Sequence, residues 1–293
     1  MHHAASTRTG LIQSVAAYLI WGLLPLYLHL LRGVPPVQVL AHRILWSLGL
    51  LAVVVAALGR TAAIRAAVRG RVLPMLCLSA LLISVNWLVY IWSVAHAHVL
   101  EASLGYFINP LVNVALGVAV LRERISPVQR VAVALAAAGV AAMALGGGGA
   151  LWIPLTLALS FGTYGLVRKV VAIDALGGLA IETLILAPFA AAALAWAAAD
   201  GTAPWGGSVR LDLLLAFSGV ATAVPLLLFA SAARRLRYAT LGLVQYLSPT
   251  LAFLEAVLLF GEPLRPVHLL TFGLIWAGCA LYAWDGVRAA RMA

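Results

Sequence analysis

The sequence predicts an all-α polytopic membrane protein with ten transmembrane helices. Hydrophobic residues make up 64% of the 293 positions, and charged residues make up only 10%. Apolar runs of about 20 residues, the length that spans a bilayer as a helix, recur along the chain. A water-soluble protein of this length has too much surface to carry so few charges. The lipid bilayer is therefore the predicted surrounding of this chain.

Ten apolar segments can be delimited in the sequence. Several prolines, among them Pro127 and Pro266, fall at segment boundaries, where the missing N–H of proline costs least. In residue numbers the segments are 11–31, 37–58, 72–95, 99–121, 127–146, 151–171, 177–199, 211–233, 238–260 and 266–285.

Arginine and lysine predict the orientation of these segments. With a cytoplasmic N-terminus, 15 of the 19 cationic residues fall on the cytoplasmic side. Arg32, Arg210 and Arg265 fall on the outer side, and Arg43 lies inside the second segment. This bias follows the positive-inside rule. It accounts for the net charge of +10 without a nucleic-acid partner, and it places both termini in the cytoplasm.

The two halves of the chain, residues 1–146 and 147–293, repeat one another. At a shift of 139 residues the matching pairs are Pro110 and Pro249, Glu123 and Glu262, Pro127 and Pro266, and Gly139 and Gly278. Each half holds five segments, and an odd number inverts the second half relative to the first. Two inverted five-helix repeats around a central cavity are the architecture of many secondary transporters. Gly146–Gly149 is where a hinge between the halves would lie.

Motifs in both halves carry a resemblance to a known family. The first half contains AYLIWGLLPLY, LAHRILWS and ASLGYFINPLVNVALG, and the second contains LAIETLILAP and TLGLVQYLSPTLAF. These motifs resemble the RarD branch of the EamA family, within the drug/metabolite transporter superfamily. The resemblance implies an exporter of the bacterial inner membrane, with ten helices in two EamA-type repeats around a central cavity. It also implies cargo such as amino acids, including aromatic ones, or chloramphenicol-like drugs.

Candidate cavity residues are polar and aromatic side chains that share one face of an apolar segment, as Tyr18 and Trp21 or Asn86 and Tyr90 do. Aromatic residues also form belts at the membrane interface, and asparagine can serve helix packing alone. The predicted substrate-binding residues are Tyr18, Trp21, His42, Asn86, Trp87, Tyr90, Tyr106, Asn109, Asn113, Tyr164, Gln245 and Ser248.

Ionisable residues inside apolar segments are candidates for gating or coupling, because a charge at the bilayer centre costs about 2.5–3.5 kcal/mol. We expect Arg43 to pair with Glu255 or Glu101 and, with His42, to form an outer gate or a proton-linked element. The alternative is that Arg43 extends to the outer headgroups. The predicted gating or coupling residues are Arg43, Glu101, Glu182, Glu255, Pro110 and Pro249.

The duplicated carboxylates Glu123 and Glu262 follow directly after apolar segments. A carboxylate at a helix C-terminus opposes the helix dipole, so we expect each to fasten a loop through a nearby arginine.

Motifs of other functional classes are missing from the sequence. It contains no HExxH, GxSxG or Walker A motif, no cysteine pattern typical of a metal site, and only one isolated HxH, at His96 and His98. We therefore expect no enzymatic activity, no cofactor and no metal. The predicted function is secondary, non-ATP export of small neutral or amphiphilic metabolites, foremost amino acids, by alternating access. Drug-type efflux is the alternative and an integral membrane enzyme a remote one, and the protein would act as a monomer or a homodimer.

Overall fold

Long α-helices build the computed structural model, which describes residues 2–122, 124–145, 151–236, 241 and 244–292. No β-strand occurs within these ranges. Glu123 and the predicted hinge at Gly146–Gly149 lie outside them. In chain order the helices are α1 (His2–Gly22), α2 (Leu24–His29), α3 (Pro36–Ala57), α4 (Thr61–Ala67), α5 (Val72–Ala95), α6 (Val99–Ala119), α7 (Pro127–Leu145), α8 (Trp152–Val170), α9 (Ala175–Ala199), α10 (Val209–Arg235), α11 (Leu247–Leu258) and α12 (Pro266–Met292).

Each predicted apolar segment contains helix, with two departures from the expected pattern. The first segment is divided between α1 and α2, because Pro25 in the first turn of α2 has no N–H to continue the hydrogen-bond ladder. The loop after α3 contains the short helix α4, which was not predicted. Seven described helical stretches are long and apolar enough to cross a membrane. Large apolar side chains such as Phe189 and Trp196 point outward, as expected of a multi-pass membrane protein.

Helices α7 and α12 pack closely through glycine. A Cβ atom placed on Gly139 would lie 2.8 Å from the carbonyl oxygen of Thr271, and one on Gly278 would lie 2.6 Å from that of Ala132. Gly139 and Gly278 are partners at the 139-residue shift, and so are Ala132 and Thr271. The two helices therefore contact each other reciprocally, at a distance that only small residues allow.

Helices of one half also pack tightly against helices of the other half. The Ser47 hydroxyl of α3 donates to the carbonyl oxygen of Gly219 in α10, at 3.3 Å. A Cβ on Gly219 would lie 2.6 Å from the backbone carbon of Trp46, and one on Gly105 of α6 would lie 2.9 Å from Cα of Pro154 in α8. Side chains of α1, α3, α5, α6 and α8 meet around one central space.

Candidate substrate cavity

The central space is a narrow cavity, in which about 30 Å³ admits the centre of a water molecule; counted with the open space at its mouth, its empty volume is about 480 Å³. Side chains from α1, α2, α3, α5, α6, α8 and the start of α11 form its wall. The lining residues are Tyr18, Trp21, Leu24, Arg43, Asn86, Trp87, Tyr90, Tyr106, Phe161, Gln245, Ser248 and Pro249.

Most of the lining belongs to the residues predicted from the sequence. The predicted substrate-binding residues in the wall are Tyr18, Trp21, Asn86, Trp87, Tyr90, Tyr106, Gln245 and Ser248, and the predicted gating residues in it are Arg43 and Pro249. Leu24 and Phe161 were not predicted. Phe161 could have been found, because it is the repeat partner of Trp21 at a shift of 140 residues. An ordinary leucine such as Leu24 carries no such signal.

Four predicted cavity residues lie away from the lining. His42 stacks on Trp205 in the loop before α10, with ring centroids 5.6 Å apart. Asn113 lies behind the wall and donates its amide to Oε1 of Gln245 at 3.4 Å. Tyr164 is buried against Phe229.

Asn109, the fourth, is fully buried, and neither polar atom of its side chain has a hydrogen-bond partner among the described residues. Its neighbour in the helix, Pro110, is also buried and lies inside α6 without lining the cavity.

Aromatic rings dominate the wall and contact one another edge to face. The ring centroids of Trp21 and Phe161 are 5.6 Å apart, and those of Tyr90 and Tyr106 are 5.5 Å apart. Tyr18 joins this group through Trp21, at 5.6 Å. Such a wall offers flat apolar surface and electron-rich faces to a ligand.

Asn86 holds part of this wall in place. Its amide nitrogen donates to the carbonyl oxygen of Leu157 at 3.0 Å and to the Ser160 hydroxyl at 3.1 Å. Its amide oxygen accepts a hydrogen bond from the Tyr106 hydroxyl at 3.1 Å. Because both ends of the amide are engaged within the protein, Asn86 orients Tyr106 toward the cavity.

Arg43 is the cationic residue of the described wall, and its side chain is held inside the protein. Only 1% of the residue is exposed. Its Nε donates to the Thr222 hydroxyl of α10 at 2.9 Å, and its guanidinium carbon lies 5.4 Å from the ring centroid of Trp87. Nη1 has no hydrogen-bond partner among the described residues. Burial and the bond to Thr222 correct the alternative in which Arg43 extends to the headgroups.

The predicted pairing of Arg43 with Glu255 or Glu101 is not formed. Each carboxylate instead lies near another group. Glu101 lies 3.4 Å from the imidazole of His98, one turn earlier. Glu255 lies near the backbone N–H of Leu26, which the break between α1 and α2 releases from the helix ladder, and its Oε2 has no hydrogen-bond partner among the described residues.

Glu182 has its own buried cation, Arg168, which was not predicted as a site residue. The two side chains are each 1% exposed and lie 3.4 Å apart. The Ser79 hydroxyl also donates to Glu182, and Arg168 donates further to the carbonyl oxygens of Asp174 and Ala175. Arg168 is one of the 15 cationic residues that the sequence places on the cytoplasmic side.

Glu262 fastens the loop before α12 to the start of α6. Its two carboxylate oxygens accept the backbone N–H groups of Val99 and Leu100, at 3.0 and 2.9 Å. These N–H groups have no partner inside their own helix, so a carboxylate suits them both by geometry and by the helix dipole.

The described residues contain no group of three or more potential ligands suited to a metal ion.

Comparison with known proteins identifies the family. Residues 8–145 and residues 147–284 each match the EamA-like transporter family. The chain belongs to this family. Protein RarD of Streptomyces exfoliatus is 45% identical over 286 residues, covering 97% of this chain and 91% of that protein. Protein RarD of Escherichia coli (strain K12) is 43% identical over 290 residues, covering 98% of both.

Two further similarities extend this result. A protein of Pseudomonas aeruginosa named chloramphenicol-sensitive protein RarD is 35% identical over 287 residues, covering 96% of each chain. A crystal structure with 17% identity covers 96% of this chain and 97% of its own with a TM-score of 0.65, which shows a shared fold. This EamA-family protein is thus a RarD-like membrane transporter.

Proposed function

We propose that this transporter exports small amphiphilic metabolites, foremost amino acids including aromatic ones, across the bacterial inner membrane. The observation that carries the proposal is the central cavity, whose wall combines aromatic rings with the buried cation of Arg43. Rings give a flat apolar or aromatic body a stacking surface, and their faces attract an amino group. The chain carries no motif for ATP binding, so transport would draw on a gradient or on exchange.

The proposed architecture is ten transmembrane helices in two inverted repeats, residues 1–146 and 147–293, with both termini in the cytoplasm. The reciprocal contacts of Gly139 with Thr271 and Gly278 with Ala132 support it, because a two-fold relation between the halves requires such pairs. The charge bias of the loops supports the orientation.

Alternating access would then depend on two sets of polar contacts between helices, one at each predicted face of the membrane. On the outer side, Glu262 accepts the N–H groups at the start of α6. On the cytoplasmic side, Arg168 and Glu182 join α8 to α9, and Arg60 pairs with Asp174. Glu182 keeps its proposed role in gating or coupling, now with Arg168 as its partner. Pro110 and Pro249, both within helices, remain the proposed points of flexing.

Drug efflux is the second candidate, because the wall is mostly apolar and would accept a neutral aromatic drug. The name of the Pseudomonas aeruginosa relative points in the same direction for that protein.

Counterflow in proteoliposomes tests the proposal. We expect unlabelled phenylalanine inside the vesicles to drive uptake of labelled phenylalanine, and Trp21→Ala to lower this flux about two- to tenfold, the value of one aromatic contact. Trp196→Ala is the matched control, because that side chain is 77% exposed on the outer surface. The same assay with labelled chloramphenicol tests drug efflux, the second candidate. Flux that responds only to phosphorylated sugars would contradict both.

A further inference from the structure

We infer that Arg43 and Gln245 bind the carboxylate group of the cargo, so that a free carboxylate beside a flat apolar body is what this cavity recognises. The inference rests on the proposed function, because it concerns the same cavity. It goes further by naming the chemical group that the two residues select.

Arg43 is a buried charge that contacts only neutral groups. Glu182, in contrast, is paired with Arg168. Arg43 contacts a hydroxyl and the face of an indole ring, and no described carboxylate lies within 4.0 Å of it. A charge removed from water without a counter-charge is costly, and inside membrane proteins it marks a functional site.

Gln245 supplies a second unused donor to the same wall. Only 2% of the residue is exposed, and its Oε1 accepts from Asn113. Its Nε2 has no hydrogen-bond partner among the described residues, as is true of Nη1 of Arg43. Two buried donors without acceptors in one cavity call for a ligand that brings acceptor oxygens.

The charge of the wall limits which anion fits. Arg43 is the one cation in the described lining, so it balances a single negative charge and leaves a dianionic phosphate uncompensated. A carboxylate carries one charge, and its two oxygens match the planar guanidinium. Trp21, Tyr90, Tyr106 and Phe161 then surround the rest of the ligand. A neutral drug would leave Arg43 without a counter-charge.

Calorimetric binding to the purified full-length protein tests the inference with L-phenylalanine and its primary amide, L-phenylalaninamide. We expect phenylalanine to bind at least about tenfold more tightly than the amide, the size of one charged hydrogen bond. Arg43→Gln should remove this preference, because it lowers the affinity for phenylalanine and leaves the affinity for the amide within about twofold of the wild-type value. Arg43→Lys should restore part of it. Arg32→Gln is the matched control, since Arg32 is exposed and lies outside the cavity.

Stability measurements separate a binding role from a structural one. Because Arg43 is buried without a counter-charge, Arg43→Gln should leave the melting temperature of the ligand-free protein unchanged or higher. If that variant does not fold, the binding of the same two ligands is measured on Gln245→Leu. Its affinity for phenylalanine, but not for the amide, is expected to fall about threefold.

The outcomes that overturn the inference differ from those that overturn the proposed function. Equal affinity for phenylalanine and its amide, no binding of either, or equal competition by chloride alone would each overturn the carboxylate site. Equal counterflow of the two compounds would overturn it while leaving export of amphiphiles standing. Absence of any counterflow despite a carboxylate preference in binding would overturn the proposed function and leave the site standing.

Discussion

The buried carboxylate of Glu262 illustrates how single residues acquire their roles in this protein. Its sequence position predicts that it holds a loop through a nearby arginine, and the structure shows its two oxygens bound to backbone N–H groups of α6 instead. Burial raises the pKa of this carboxyl above its ordinary value of 4.5, and the N–H groups of Leu100 and Val99 oppose that shift. Nearby Glu101 raises the pKa further, and His98 lowers it.

A pH dependence of stability follows from that raised pKa. A carboxyl that holds its proton more tightly in the folded state contributes full stability below its ordinary pKa and loses that contribution as the pH rises through the raised value. We therefore expect the melting temperature of the wild type, relative to that of Glu262→Gln, to fall as the pH rises above 4.5.

Thermal unfolding in detergent at a series of pH values measures this difference. Asp200→Asn, which changes an exposed carboxylate at the end of α9, is the control. A wild-type advantage that grows with pH would show that the two N–H groups outweigh burial.

The residues of the cavity were predictable to the extent that their types are unusual in lipid. Asn86, Gln245 and Arg43 stand out in apolar segments, and the structure places all three in the wall. Their partners were not predictable, because a partner depends on how helices distant in sequence approach one another. Arg43 reaches Thr222, 179 positions away, rather than either predicted carboxylate.

At the scale of elements, glycines decide which helices approach closely. Gly278 lies on α12 where a Cβ would meet the backbone oxygen of Ala132 at 2.6 Å. Gly273 lies on the same helix, and a Cβ there would meet nothing within 4 Å. The sequence marked Gly278 as a repeat partner of Gly139, and the structure supplies the reason, since both are contact points of the same helix pair.

This pair of glycines gives a matched test of close packing. Gly278→Ala should lower the free energy of unfolding by about 1–3 kcal/mol, because backbone atoms must shift to admit the methyl group. Gly273→Ala should stabilise the protein by up to about 1 kcal/mol, because alanine favours the helix and meets open space. Thermal and chemical unfolding in detergent measure both. Equal effects of the two changes would show that α7 and α12 are not held by this contact.

Element boundaries were predictable where proline or charge marks them, and less so elsewhere. Pro127 and Pro266 begin α7 and α12 as expected. The break between α1 and α2 was missed, although Pro25 was visible, because a proline inside an apolar run can either kink a helix or start a new one. Its consequence, that the released N–H of Leu26 lies near Glu255, depends on the approach of α11 and has no sequence signal.

At the scale of the whole molecule, the repeat predicts two equivalent helix contacts, one between α3 and α10 and one between α5 and α9. These two contacts differ. Helices α3 and α10 touch where Gly219 meets the backbone of Trp46. The repeat partners of these residues are Ala80 in α5 and Leu186 in α9, at shifts of 139 and 140. Ala80 and Leu186 line an open apolar groove between α3, α5 and α9. The first contact is thus close-packed, whereas its counterpart borders a groove, although Ser79 of α5 donates to Glu182 of α9 beside it.

Rocking of one half against the other would exchange these two arrangements, and Cys77 reports on it because it is exposed and lines the groove. Gly219→Val should force α3 and α10 apart, since even a Cβ there would lie 2.6 Å from backbone atoms of Trp46. If the halves move as rigid bodies, α5 and α9 then close over Cys77, and its labelling by a lipid-soluble maleimide slows several-fold.

The measurement uses a Cys279→Ser background, with Gly49→Val on α3 as the control, because a Cβ at Gly49 meets nothing within 4 Å. Unchanged labelling of a folded Gly219→Val protein would mean that the two contacts open and close independently, and the inverted repeat would then describe ancestry rather than motion.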